Sequence, residues 1–502
     1  MPVRLRSAVA FLVCLMATRV SAAVYVDCSA PGPTHNGASW QTAFLSISQA
    51  LSYLGNGGEI WVKAGTYRER LTLNTYTTLY GGFLGCETSP SQRLPGTFPS
   101  VISGGGKGRV IDMPTGARVT IDGFTIRDGK ADKGAGVNCT TDTNVTLRNC
   151  RIVCCRATSL GGGVLFDNYA QGAVSNCLIE RNEAPKGAGM VVGYHCYPTI
   201  SGAVITRNTA SVSGGGVYCP FHSGASLSNC TIAYNTAGVN GGGVYAYYGG
   251  PVTLRYCIVA FNAAPDGGAF YADGGSSQAT LTNCDWYGNS VPAFGGALVS
   301  FPANAANIAS DPLFIMPEAD EFHLRAGSPC SGMGAFALSS AYAIDRIGVA
   351  KRLADGTSIK LANKVVSCAD GATIYLEEPD RSSAIAVSGV TGCTVGQILS
   401  SVTGTLTNGV LSASSSATWP YGTSIPKPLG CRVSWLGAME GIRATTWGRV
   451  SALAYDGFEL SDGQWSIYVR YSGQKPQVGE LRTVTGTRCT DGSFRGTEVV
   501  TH

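Results

Sequence analysis

Two histidines, His195 and His222, stand 27 residues apart in a chain that has only five. Close to them in sequence lie Tyr194, Phe221, Tyr247 and Tyr248, together with the carboxylates Asp167 and Asp273. An imidazole beside a carboxylate can move a proton. Aromatic rings with polar tips can hold a sugar, the ring face supplying contact and the tips fixing orientation. The same residues could equally be turn residues that pack on one another. Deciding between these readings requires the elements that position them.

Small-residue triplets recur at 134–136, 161–163, 187–189, 214–216, 241–243, 267–269 and 295–297, at steps of 26 to 28 residues. Each precedes a short alternating strand, as in Gly-Val-Tyr-Cys219 and Gly-Val-Tyr-Ala246. Cys150, Cys177, Cys230, Cys257 and Cys284 keep the same period, as do Asn182, Asn208, Asn235, Asn262 and Asn289. Such a period marks a repeat architecture. Strands of period 2 with no helical spacing describe stacked coils, in which identical positions pair in parallel about 4.8 Å apart. Inward positions must then be small or aliphatic, the asparagines can bond up and down the stack, and the glycines serve one tight corner.

This pattern resembles the right-handed parallel β-helix of the pectate-lyase-like superfamily, over residues 23–342. The expected fold class is all-β: a solenoid with an N-terminal capping helix, followed by two small OB-like β-barrels. The cap is read from Phe44, Ile47, Leu51 and Leu54, whose spacing suits a helix covering the open edge of the first coil. Residues 77–87 and 311–334 look like opening and closing coils. Residues 347–418 and 443–489 carry parallel texts of short strands, giving OB-like domains at 343–420 and 441–502 with a linker at 421–440. The Ser/Pro-rich stretch 412–430 is read as separating them. OB-like barrels can bind oligosaccharides, although a role as spacer or attachment module fits as well.

The ladder cysteines should stack with parallel Cβ vectors, poor geometry for disulfides, so they are expected as buried thiols. Pairs at Cys28–Cys86, Cys368–Cys393 and Cys431–Cys489 suit disulfides better. Residues 1–22 read as a secretory signal, with Arg4 and Arg6 ahead of an apolar run and small residues at the end. A secreted or cell-surface location is therefore expected, without a membrane span. The formal charge is +4; removing Arg4, Arg6 and Arg19 leaves 33 basic against 32 acidic residues. Nucleic acid needs concentrated positive charge and is not an expected partner.

On this fold, Tyr218, Tyr245 and Tyr271 should point outward in consecutive coils, as a packing ladder or a sugar platform. His195 and His222 should share one column with Asn168, and Asp167 should lie beside it. The resemblance extends to pectate and other polysaccharide lyases, polygalacturonases and pectin methylesterases. The polygalacturonase acid motifs are missing, however: the NTA triplets at 208–210 and 235–237 keep the asparagine and lose the acid. Calcium-assisted lyases need clustered acids and a basic residue. Asp132, Lys133, Glu183, Lys186 and Asp266 line one turn, but Leu160 separates the two lysines. Calcium is thus conceivable but not indicated, and no cofactor is expected. The leading expectation is a protein that binds polysaccharide or a cell-surface glycan, without a recognisable catalytic set. A polysaccharide lyase or hydrolase using Asp167, His195, His222 and Asp273 is one alternative, and a structural or adhesive surface protein is another.

Overall fold

The computed structural model describes residues 23–501, apart from 56, 75, 249–250, 275–277, 299–305, 337–341, 345, 371–372, 379–382, 424–428, 431–440, 442, 462–465, 479 and 490–492. The expected signal segment, most of the expected linker and Cys431 lie outside the described residues. One full coil runs through Arg118–Asp122, Phe124–Arg127, Lys130–Lys133 and Val137–Cys139. Stacked coils build four parallel sheets of ten, eight, five and nine described strands, here called the first to fourth sheets in the order the coil visits them. Leu147 pairs with Ile121 below and Val174 above, and Ile152 pairs with Ile126 and Ile179. These positions are fully buried, so a one-residue slip would turn every apolar side chain outward.

The corner between the third and fourth sheets explains the triplets. Gly214 has φ +68°, and a Cβ there would fall 2.7 Å from the Tyr218 Cβ. A Cβ on Gly215 would fall 2.5 Å from the Gly242 carbonyl oxygen. At Gly214 and Gly215 the coils approach too closely for a side chain, while the middle position of two other coils holds the smallest ones, Ala135 and Ala188. At the preceding corner, between the second and third sheets, the Asn208 backbone N–H and Nδ2 both donate to Asn235 Oδ1, at 3.1 and 2.9 Å. The pattern repeats from Asn182 to Asn289 and satisfies buried polar groups along the whole stack.

The cysteine column is buried, and each thiol donates to a carbonyl of the coil below, as Cys257 does to Leu227 at 3.6 Å. Two expected disulfides are corrected. Cys28 carries a free thiol, its sulfur lying against Gly65. Cys393 also carries a free thiol and packs against the first barrel's main core, whereas Cys368 sits in a different cluster with Tyr375 and Cys489.

The cap forms as helix Ile47–Leu54, with Ser46 and Gln49 making a reciprocal capping box. Ile47 and Ala50 are buried on the first coil, and Glu69 accepts from the N–H groups of Ile47 and Ser48. The stretch 311–334 does not close the solenoid with further coils. Its antiparallel hairpin, Phe314–Met316 with Glu321–Leu324, lies across the outer face of the second sheet. That face is apolar here (Val204, Ala233, Ile258, Ala260), and Phe314, Phe322 and Leu324 cover it. Ile315 and Met316 enter the core of the first barrel instead. Asp320, at the hairpin tip, takes 2.7 and 2.9 Å ion pairs from Arg181 and Arg207.

The first barrel uses Ser358–Asp370, Thr373–Glu377, Ala384–Ser388, Gln397–Thr407 and Val410–Thr423 in the order 1-2-3-5-4, with strand 4 closing on strand 1. The second repeats that order with Arg443–Ala454, Gly457–Ser461, Ser466–Arg470, Leu481–Arg488 and Phe494–Thr501. Each is a small sheet closed by the pairing of its strands 1 and 4, consistent with an OB-like barrel. Residues 412–423, read from sequence as part of a separating stretch, belong to the fifth strand of the first barrel. That barrel docks on the opening coils through Val365, Ile398 and Trp419 against Phe98.

Candidate functional site

The turns from the fourth sheet back to the first carry most of the residues singled out in the sequence. Asn168, Tyr169, His195, His222 and Tyr248 all have positive φ, between 42° and 62°. Left-handed backbone also recurs at the other corners, at Asn149, Arg181 and Asn229 for example, so it belongs to the coil and is no mark of function. Its consequence is directional: the side chains of these turns are thrown outward.

The rings form one connected surface. Tyr169 stacks on His195 at 5.0 Å with planes 13° apart, and His195 stacks on His222 at 5.7 Å and 11°. The sequence column is corrected here, because Tyr169 rather than Asn168 stacks below His195. Ala173, Thr199 and Ser226 are in register, and counting back four from each gives Tyr169, His195 and His222. Subtracting a uniform 27 from His195 lands on Asn168, but the repeat step at this coil is 26, as the triplets at 161 and 187 show. Gln171 fixes the turn by donating to the His195 carbonyl at 3.0 Å and accepting from the Tyr197 N–H at 3.2 Å. The Tyr197 hydroxyl donates to the His222 carbonyl at 2.9 Å.

Two rings, Tyr194 and Tyr248, cross this stack, and Phe221 crosses Tyr247 beside it. Tyr194 is turned 73° from His195 and 79° from His222, Tyr248 is 88° from His222, and Phe221 is 87° from Tyr247. Stacked rings hide their faces in one another, whereas a crossed ring leaves its face free. Tyr194, Phe221 and Tyr248 are 42%, 50% and 52% exposed. They form a shallow aromatic surface over three coils.

The other ladder differs. Tyr218, Tyr245 and Tyr271 stack as expected, at 5.0 and 5.2 Å. Tyr218 and Tyr245 are only 7% and 6% exposed, however, packed with Leu165, Val191 and Tyr247. Burial pushes the Tyr218 hydroxyl up to about 12, with Tyr247 and Asp273 adding to it, and it raises Tyr245 and Tyr271 as well. Tyr245 donates to Asp273 at 3.1 Å. These tyrosines make an external packing ladder that backs the turn surface through Tyr247, 6.4 Å from Tyr245.

The carboxylates are set apart. Asp167 lies over Gly193, where a Cβ would come 3.2 Å from its Oδ1. The register runs Asp167, Gly193, Pro220, Tyr247, Asp273, which places the two acids four coils apart. At the parallel strand spacing that is about 19 Å. A glycosidase pair stands roughly 5 to 9.5 Å apart, so these two acids cannot act on one bond. Lys133, Leu160 and Lys186 are in register as expected, which keeps the two lysines on separate coils. Among the described residues no three His, Cys, Asp or Glu side chains converge on a possible metal position.

Stacked coils whose strands pair in parallel along four sheets define a parallel β-helix. The family model for a right-handed beta helix region matches residues 101–212 and 185–310. Among solved structures the chain is similar to the pectate lyase Pel9A, at 15% identity and a TM-score of 0.35, covering 63% of this chain and 96% of that one. It is also similar to the pectin methylesterase from Aspergillus niger, at 15% identity and a TM-score of 0.25, covering 58% and 90%. No curated protein matches the chain. Among the described residues no helix is long and apolar enough to cross a membrane.

Proposed function

We propose that this protein is an exported β-helix protein that binds polysaccharide on the turn surface of Tyr194, Phe221 and Tyr248. The observation that carries the reading is the crossing of Tyr194 and Tyr248 over the Tyr169–His195–His222 stack, with Phe221 crossed on Tyr247 beside it. It leaves three ring faces open at the tips of three successive coils, on a backbone held rigid by the strands beneath. Sugars stack on such faces while nearby polar groups fix their orientation. His195 and His222 supply edge contacts, with Asp167 and Asp273 flanking the surface. Tyr218, Tyr245 and Tyr271 support it from behind. The 19 Å estimated between the two acids favours binding over glycosidic hydrolysis here.

Two assays on the purified protein test this. A glycan array should show retention of polysaccharide that is lost when Tyr194, Phe221 and Tyr248 are all changed to alanine. Absorbance of unsaturated uronate products should stay at background with every retained glycan. Product formation abolished by His195→Ala with His222→Ala would replace binding with the lyase alternative.

A further inference from the structure

The charges around the ring surface narrow the kind of chain it can hold. The turn segments 140–143, 167–170, 193–198, 220–224, 246–248 and 272–274 contain Asp142, Asp167 and Asp273 and not one lysine or arginine. Asp142 begins the column, its N–H donating to the Asn168 carbonyl at 3.1 Å. Asp167 lies two residues before Tyr169, and Asp273 is in register with Tyr247. Each carboxylate therefore sits within one or two coils of a surface ring, about 5 to 10 Å, which is inside the screening length at physiological salt.

Cations in the neighbouring columns stand off this surface. Lys186 lies on the far flank of the tyrosine ladder, its Nζ 5.9 Å from the centroid of the buried Tyr218 ring. Arg118 is in register two coils below Gln171, at the start of the first sheet. A polyuronate laid along the rings would thus meet three like charges, with Arg118 an opposite charge only at the Asp142 end. A neutral chain would keep the stacking contacts and could donate its hydroxyls to the carboxylates.

We infer that the turn surface selects an uncharged polysaccharide and excludes a polyuronate; the inference rests on the binding reading above. Like-charge juxtaposition is a common means of rejecting a wrong partner.

The test is a matched pair of probes, polygalacturonate and its fully methyl-esterified form, which differ in charge and share a sugar backbone. Titration calorimetry would compare them with a neutral xylan at low and high salt. The neutral chains should bind at least about tenfold more tightly than polygalacturonate at low salt, with the gap narrowing as salt screens the acids. Asp167→Asn with Asp273→Asn, folded by circular dichroism, should narrow it likewise. If polygalacturonate binds as tightly as its ester, and that binding is lost in the Tyr194, Phe221 and Tyr248 alanine variant, the charge inference is overturned while the binding reading stands. If no probe depends on those three rings, the binding reading itself fails and takes the inference with it.

Discussion

His222 stacks on His195 from the next coil, ring centroids 5.7 Å apart and planes 11° from parallel. A His195→Ala change removes the middle ring and leaves Tyr169 and His222 without a partner between them. Ring pairs of this kind contribute about 0.5–1.5 kcal/mol beyond their buried area. Urea denaturation should therefore show a loss of about that size, with the circular dichroism of the β-helix unchanged.

The asparagine ladder should be far less tolerant. In an Asn235→Ala variant the Asn208 N–H and Nδ2 lose their shared acceptor, and the Ile205 carbonyl loses its donor. All of these groups are buried, and each stranded one costs about 1–3 kcal/mol. A loss of several kcal/mol is expected in the same urea experiment. A loss under about 1 kcal/mol would mean that the stack relaxes around the gap.

Much of the solenoid was legible because its constraints recur every coil. Val137, Val164, Val217 and Val244 occupy one inward column, and their spacing alone predicts the stacking. The outward turns carry no such constraint. A uniform step of 27 places Asn168 below His195, whereas the local step of 26 between the triplets at 161 and 187 puts Tyr169 there. Spacing alone could not show that Tyr218 and Tyr245 are buried, since Leu165, Val191, Tyr247 and Tyr271 of their own sheet, with Leu160 at the corner, pack around them. The stretch 311–334 misled for a related reason. Its apolar residues resemble those of a coil, but they serve the outer face of the second sheet and the first barrel's core.

Two acids give opposite pH dependences. Asp285 is fully buried, and burial raises its carboxyl to about 6 despite the N–H groups of Ser310 and Tyr287. The folded state then holds a proton that the unfolded chain releases near pH 4. Its contribution is present below about pH 4 and is lost as pH rises through about 6, by up to about 3 kcal/mol. The stability difference between the wild type and Asp285→Asn should vary across that window and level off above it. A difference independent of pH would show that Asp285 does not titrate there.

Asp320 should behave in reverse. Burial alone would raise its carboxyl, but hydrogen bonds from Arg181 and Arg207 outweigh burial and hold it below the usual range. Its contribution is present above about pH 4 and fades as pH falls through the lowered value. Asp320→Asn should loosen the hairpin Phe314–Leu324 at neutral pH, seen as faster amide exchange there than in the first sheet. Exchange equal to the wild type would show that the apolar contacts of Phe314 and Phe322 hold the hairpin unaided.

The central claim is that the crossed rings, and not the buried ladder, contact the glycan. The most direct measurement is the affinity for a retained polysaccharide of two variants, Tyr194→Ala with Tyr248→Ala, and Tyr271→Phe with Tyr245→Phe. Sugar–aromatic contact relies on an open ring face, and an aromatic contact of about 1 kcal/mol means that each open ring removed should weaken binding by about fivefold. The first variant should therefore lose at least about 20-fold in affinity, while the second, which keeps its rings and loses only hydroxyls, should bind as the wild type does. Equal affinity in the first variant, or a loss confined to the second, would contradict the account.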